Sequence, residues 1–395
     1  MRYLDKMEKE YLIKLCNSFI NNKVEALDGS IDYSMLFEFS NAHNLSAVLF
    51  CVLKNAPNKD IIPADIYKRF EDDFYSAVFR YSIQGGIADE LSSIFEENEI
   101  KHIFFKGVQL REYYPTPQSR VMGDVDVLIE EENREKVKAL LTKNGYEAVA
   151  ANGPVWEYSK NGFAVEVHTK IISGKVGASD AENGFADAIK HAAFCGYRGT
   201  LDNNYHFAYL LTHIAHHFWF YGAGIKLILD LAAFMKSEEI DLRAVLEKMG
   251  EIGLEDFSKV VLSVCKRWFS VGEDFGVDTK TTEKFISSFG AFGNLDRNKA
   301  AVIERKELEE GKKTSRLTTK FRLAFPPYSK LKNIPYISFI EGRPYLTPAA
   351  WVYRFYYNFK FRKAFVKKAT ADIGSEETKE LAKKELDYFE EIGLL

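Results

Sequence analysis

Between Asp5 and about Asn98 apolar residues recur at helical spacing. YLIKLCNSFI, YSMLFEF and SAVLFCVLK each place apolar side chains three and four positions apart, the pattern of helices with one buried face. Pro63 suits the first turn of a long helix through Tyr81, since its fixed φ is helical and no N–H is needed there. Gly85-Gly86 is the expected weak point of that helix before IADELSSIFEEN. The period then changes. Ile100–Phe105 (IKHIFF) is a short apolar run that stops at Lys106-Gly107, and VQLREYY after it is helix-like. RVMGDVDVLI, from Arg120 to Ile129, alternates as a strand does. A charged helix from about Glu131 to Asn144 follows, with Gly145 as its stop. VWEYSKNGFAVEVHTKI contains two alternating runs joined by Asn161-Gly162, a hairpin signal because both residues accept positive φ. Small residues at Gly174–Ser179 mark a linker, and from about Ala181 to Val261 the spacing returns to that of helices.

This alternation of patterns predicts an α+β fold: a small mixed β-sheet with flanking helices, set between N- and C-terminal helical regions. The expected divisions are 1–98, a helical region; 99–173, the sheet unit; 181–295, a helical domain forming part of a cleft; and 296–395, a basic and aromatic helical region. A chain of 395 residues exceeds the usual single core, which agrees with several divisions.

The chemistry concentrates on the alternating strands. Asp124 and Asp126 share one face of their strand while Val125 and Val127 take the other. Neighbouring carboxylates repel and are costly to desolvate unless a cation sits between them, and oxygen ligands favour magnesium or manganese. In FAVEVH, Glu166 and His168 likewise share a face. If this strand neighbours the Asp strand, Glu166 completes a three-carboxylate cluster suited to phosphate chemistry. A bare D-x-D is more often a solvated strand edge than a metal site. The apolar alternate positions, the preceding strand-Lys-Gly turn and the later V-E-V-H favour the metal here.

These segments carry a resemblance. Lys106-Gly107, then Leu110, Tyr114 and Pro115, then R-x-x-G-D-V-D-V-L-I and V-E-V-H resemble the nucleotidyltransferase superfamily of the DNA polymerase β type. More closely the chain is similar to the bacterial group labelled "nucleotidyltransferase family protein". The likeness is sharp from about Phe104 to His168 and looser through His213–Phe234. It implies a nucleotidyltransferase palm for the sheet unit, with Asp124, Asp126 and Glu166 as catalytic metal ligands and Glu166 assisting deprotonation of the acceptor. It implies nucleotide contacts from Lys106, Gly107, Gly123 and Arg120, and a nucleoside triphosphate as substrate. The superfamily carries a serine after the glycine, where this chain has Val108, so a hydroxyl contact to the triphosphate is missing and Lys106 can stand in as a point charge.

His168, His213, His217 and Asp230 are candidates for a substrate cleft. His213 and His217 have the i,i+4 spacing of a metal pair, but the glutamate of HExxH is absent, and partly buried histidines lining a cleft are the better reading. Arg120 can fork onto a phosphate oxygen. Cys16, Cys51, Cys195 and Cys265 lack metal or redox spacing and read as reduced thiols of a cytoplasmic protein. The N-terminal stretch shows neither signal peptide nor membrane span.

The net charge of −4 gives no general attraction to nucleic acid or anionic membrane. Local basic runs exist, at Lys312, Lys313, Arg316, Lys320 and Arg322, and within WVYRFYYNFKFRKAFVKK from Trp351 to Lys368. A solvated amphipathic helix is the favoured reading of the latter, ahead of membrane or polyanion contact. The expected activity is metal-dependent transfer of a nucleoside monophosphate to an unidentified hydroxyl, in a small molecule or saccharide. The competing readings are an RNA-modifying or toxin-like transferase using the basic C-terminal third, and an inactive palm that binds nucleotide or partner. Nucleotide, acceptor and oligomeric state are not legible.

Overall fold

The computed structural model describes residues 5–151, 153–288, 290, 321, 324–332, 334–340, 342–361 and 376–395. It is an α+β protein with a mixed seven-stranded sheet flanked by helices. The chain divides into two compact units, 1–148 with 157–294 and residue 394, and 149–156 with 295–393 and residue 395.

The first unit begins with helices α1 (Asp5–Ile20), α2 (Tyr33–Ala42) and α3 (Ser46–Leu53). Asp32 caps α2 by accepting from the N–H groups of Ser34 and Met35, satisfying donors that the first turn leaves open. All eight residues of α3 are buried, as its apolar sequence requires. Helix α4 runs from Ala64 to Glu97. It passes through Gly85-Gly86, the expected weak point, without a break. Two glycines lower helix propensity by roughly 2 kcal/mol, an amount that burial of Ile87, Ala88 and Leu91 just beyond them readily offsets.

Strand β1 (His102–Phe104) leads to a short helix α5 (Gly107–Leu110), and β2 (Asp124–Ile129) returns antiparallel to β1, pairing Phe104 with Val127. Helix α6 (Arg134–Lys143) ends as read, with Gly145 at φ 80°. Strands β3 (Glu147–Ala151), β4 (Val155–Lys160) and β5 (Phe163–His168) follow, with Asn161 and Gly162 both at positive φ in the β4–β5 turn. Strand β5 lies parallel to β2, and Asp126 faces Glu166 directly. The sheet order is β3-β4-β5-β2-β1, extended by β7 and β6.

Those last two strands correct the sequence reading, which had helix from Ala181 onward. After the short α7 (Ala181–Gly184), β6 (Ala192–Cys195) and β7 (Arg198–Leu201) form an antiparallel hairpin, and β7 adds parallel to β1. Gly196 takes the positive φ of the turn, and Gly199 has no room for a side chain, since a Cβ would lie 2.7 Å from the Phe194 ring and 2.9 Å from Ile103. The four-residue strands are too short to show a period, so the edge of the sheet decides them. The stretch at Gly174–Ser179, expected as a linker, is a packed turn in which Val176 and Ser179 bridge and both are buried.

Helices α8 (Asn203–Phe220), α9 (Ile225–Ser237), α10 (Leu242–Glu251), α11 (Glu255–Phe269) and α12 (Lys280–Ile286) complete the unit. Helix α9 is buried from Ile225 through Phe234, so even its charged residues lie inside.

Within the second unit a small core of Leu331, Ile337, Ile340 and Ala350 is covered by Tyr336, Leu346 and Trp351, whose indole N–H donates to the Pro326 carbonyl at 2.8 Å. The helix Thr347–Phe361 leaves Val352, Phe355 and Tyr356 exposed. Of the basic runs named above, Lys312, Lys313, Arg316, Lys320 and Arg322, and the stretch 362–368, lie outside the described residues. No helix among the described residues is long and apolar enough to cross a membrane, and their cysteines are free.

Candidate functional site

Two adjacent strands and the turn after a third build the site. The β2–β5 register places Asp126 opposite Glu166, and alternation brings Asp124 and His168 to the same face. His168 Nε2 lies 2.9 Å from Asp126 Oδ1 and 3.2 Å from Glu166 Oε2, so one ring N–H ties the two carboxylates together. The histidine is thus a partner of the acidic residues, on the face that strand alternation gave it beside Glu166. Phe105 meets its ring edge-on at 5.0 Å, while its Nδ1 is buried with no hydrogen-bond partner among the described residues.

Lys106 supplies the opposing charge. Its ammonium donates to Asp126 Oδ1 at 2.7 Å. Its backbone sits at φ 50°, ψ −121°, a conformation costing a side-chain-bearing residue on the order of 1–3 kcal/mol. That strain turns the chain sharply from β1 into α5. Gly107 is required by space: a Cβ there would lie 2.8 Å from Met122 Sδ and 3.0 Å from Met122 Cβ. The Met122 carbonyl accepts from Arg80 Nη2 at 3.3 Å and Gln84 Nε2 at 3.2 Å, which fastens the entry to the Asp strand onto α4. Val108 points into the interior, in keeping with the missing hydroxyl contact.

The carboxylates titrate apart. Burial alone would raise Asp126, but Lys106 and His168 outweigh it and hold the group down to about 2. Asp124 is pushed up to about 6, first by burial and then by the charges of Asp126 and Glu166. Such a pair is what two acids sharing one pocket with too little positive charge must show. Asp126, Glu166 and His168 offer ligand atoms that all lie within 4.8 Å of one another. Together with the destabilised charge of Asp124, this donor set could hold a divalent cation.

These groups line one wall of a cavity of about 200 Å³, and helices α8 and α9 furnish the rest: Leu210, His213, Ile214, His217, Lys226, Leu227 and Asp230. His213 and His217 face each other, Nε2 to Nε2 at 3.2 Å. Burial and each other's neighbourhood drive His213 well below its ordinary range, and burial, then His216 and Lys106, lowers His217 to about 3. Both are therefore neutral at physiological pH, one donating to the other. Gly123 also lines the cavity, with open space where a side chain would stand.

Arg120 does something other than what the sequence suggested. Its fork engages Asp230, Nε to Oδ1 at 2.7 Å and Nη2 to Oδ2 at 2.9 Å, and the Tyr114 hydroxyl donates to the same Oδ1 at 2.7 Å. Both ionic side chains are about 95% buried, so the clamp is taken up internally and is not presented to solvent. Arg120 and Lys226 overcome burial to lower the Asp230 carboxyl. Lys226 escaped the sequence reading, although a lysine inside the apolar run IKLILDLAAF, four residues before Asp230, was the available signal.

A family model described as "Uncharacterised nucleotidyltransferase" matches residues 29–270, and the chain belongs to that family. No curated protein and no solved structure matches the chain.

Proposed function

We propose that this nucleotidyltransferase-family protein moves a nucleoside monophosphate from a nucleoside triphosphate to the hydroxyl of a small molecule or saccharide. Asp124, Asp126 and Glu166 are the residues that would hold magnesium or manganese. The observation that carries the reading is the β2–β5 register, which sets Asp126 against Glu166 with Asp124 two residues along the same face, under a repulsion that Lys106 only partly offsets. When bound, the divalent cation supplies charge neutralisation at the phosphates and a polarised α-phosphorus.

The remaining work falls to the chain. His168 orients Asp126 and Glu166 through its shared N–H. Glu166, the most exposed member of the carboxylate–histidine cluster, is placed to accept the proton of the attacking hydroxyl. Lys106 and the turn at Gly107 position the nucleotide, and Gly123 leaves room for it to approach the backbone of the Asp strand. Arg120 acts by locking Asp230 and the β2 entry. His213 and His217 form the acceptor side of the cavity, with Asp230 held on the same wall by the Arg120 fork, and the net charge of −4 supports a small acceptor over nucleic acid. This is catalysis by positioning and electrostatics, without a covalent intermediate.

The test is transfer of label from each α-labelled nucleoside triphosphate into a cell extract, with magnesium or manganese. The double variant Asp124→Ala, Asp126→Ala is the control. Label entering an extract component only with the wild type is the expected result. Absence of both transfer and metal-dependent nucleotide binding would leave a palm without catalytic function.

A further inference from the structure

We propose that the helix Thr347–Phe361 seats the second unit on an anionic lipid surface, through an apolar stripe that the fold turns outward. The inference is independent of the transferase reading. Val352, Phe355 and Tyr356 stand at i, i+3 and i+4, the spacing of one helix face, and are 71, 45 and 55% exposed. Tyr353, also exposed, widens the stripe on the side of Tyr356.

The opposite side of the helix does the packing. Ala350 lies in the core with Leu331, Ile337 and Ile340, Trp351 covers it, and the Tyr357 ring stacks on Tyr336 at 4.0 Å. Arg354 turns inward as well, its Nη1 donating to the Ala324 carbonyl at 3.1 Å. A helix solvated on one face puts its charges outside and its apolar side chains inside. This one holds an arginine against its own unit and shows water a valine, a phenylalanine and two tyrosines. A contiguous apolar patch of that kind marks a contact surface.

Charge identifies the contact. Between Lys312 and Lys368 the chain carries fourteen lysines and arginines against one acid, Glu341, although the whole chain stands at −4. The helix itself contains no acid. Lys360 lies beside the stripe, donating to the Tyr356 hydroxyl at 3.2 Å with its ammonium over the Phe361 ring. Apolar side chains flanked by basic ones are the pattern of a helix lying in the headgroup region of a bilayer. Valine and phenylalanine reach the acyl boundary, tyrosine stays at headgroup level, and lysine and arginine meet the anionic lipids. Fifteen residues that include Arg354 and Lys360 are too short and too charged to span, so the helix lies on the surface. A second copy would set like charge against like. Single-stranded nucleic acid takes a groove that tracks its backbone, whereas this stripe runs along the outer side of a helix.

The test is co-sedimentation of the full chain with vesicles of phosphatidylcholine alone and of phosphatidylcholine with phosphatidylglycerol. Binding to the anionic vesicles is expected to be about tenfold tighter or more, and to fall as salt is raised. Phe355→Ser combined with Tyr356→Ser should weaken it by roughly tenfold, with melting curves showing that the fold survives, as exposed positions allow. Val352→Trp gives a second readout, since brominated acyl chains should quench its fluorescence more than that of the wild type. Equal sedimentation of wild type and the folded double variant would overturn the proposal, and so would vesicle binding without added quenching at position 352. Retention of single-stranded RNA in place of vesicles, lost in the double variant, would overturn it in favour of a polyanion. Dimers in place of vesicle binding, lost in the same variant, would overturn it in favour of a second copy. The vesicle assay uses no nucleotide, so its failure leaves the transferase reading to its own test.

Discussion

Asp126 and Asp230 are both almost wholly buried carboxylates on one cavity, and each has a cation at 2.7 Å. Their neighbourhoods differ in sign. Around Asp230 an arginine fork, a tyrosine hydroxyl and a nearby lysine leave positive charge in excess. Around Asp126 one lysine and one histidine face a second aspartate and a glutamate, and the excess is negative, which is why Asp124 is pushed up to about 6. A buried pair that is complete is structural, and breaking it is costly; a cluster left short of positive charge is poised for an outside cation. The same residue type thus sits in two opposite electrostatic settings a few side chains apart.

The largest expected contrast is in turnover. Asp124→Asn or Asp126→Asn should lower transfer by roughly 10³-fold, since loss of a metal-bound carboxylate removes several kcal/mol of charge stabilisation. Initial rates at saturating magnesium check this, and near-normal rates would shift the metal site elsewhere. Stability should order the variants the other way. Asp230→Ala strands Arg120 without its counter-charge and is expected to cost about 3–5 kcal/mol in urea unfolding, while Asp124→Asn should cost nothing or stabilise the metal-free protein.

A pH series sharpens the comparison. Asp124 has a folded value of about 6, above its ordinary 3.8, so its protonated form is favoured by folding. Its contribution is fully present below about 3.8 and is lost as pH rises through 6. In chelator, wild type should therefore lose about 1–3 kcal/mol relative to Asp124→Asn between pH 4 and 6.5, and magnesium should recover that loss at pH 7 but not at pH 4. Coincident curves at all pH values would mean that Asp124 carries no such repulsion. The smallest expected effect is steric. Gly107→Ala should cost about 1–2 kcal/mol through its clash with Met122, and Met122→Ala should relieve part of it when combined.

Much of this was legible locally. Period-2 alternation put Asp124 with Asp126 and Glu166 with His168, because neighbouring side chains on a strand take opposite faces whatever the strand pairs with. Asn161-Gly162 announced its turn through the φ values those residues accept. The helices of the first hundred residues followed from their apolar spacing, though not the persistence of α4 through two glycines, which depends on what it packs against.

Other features had no local cause. Strands β6 and β7 exist because β1 offers an edge to a segment too short to reveal a period. Arg120 and Asp230 are 110 residues apart, and nothing near either names the other; the fork forms because α9 packs against the entry of β2. Lys226 went unread in the sequence, and only its burial in α9 makes its charge costly. Sequence by itself determined which side chains share a strand face and which residues turn the chain, since both follow from bonds and dihedrals a few residues long. Tertiary structure decided strand neighbours, the sign of each wall's excess charge and the partners of Arg120 and Lys226, because burial and Coulomb energy depend on distances in space that only packing sets.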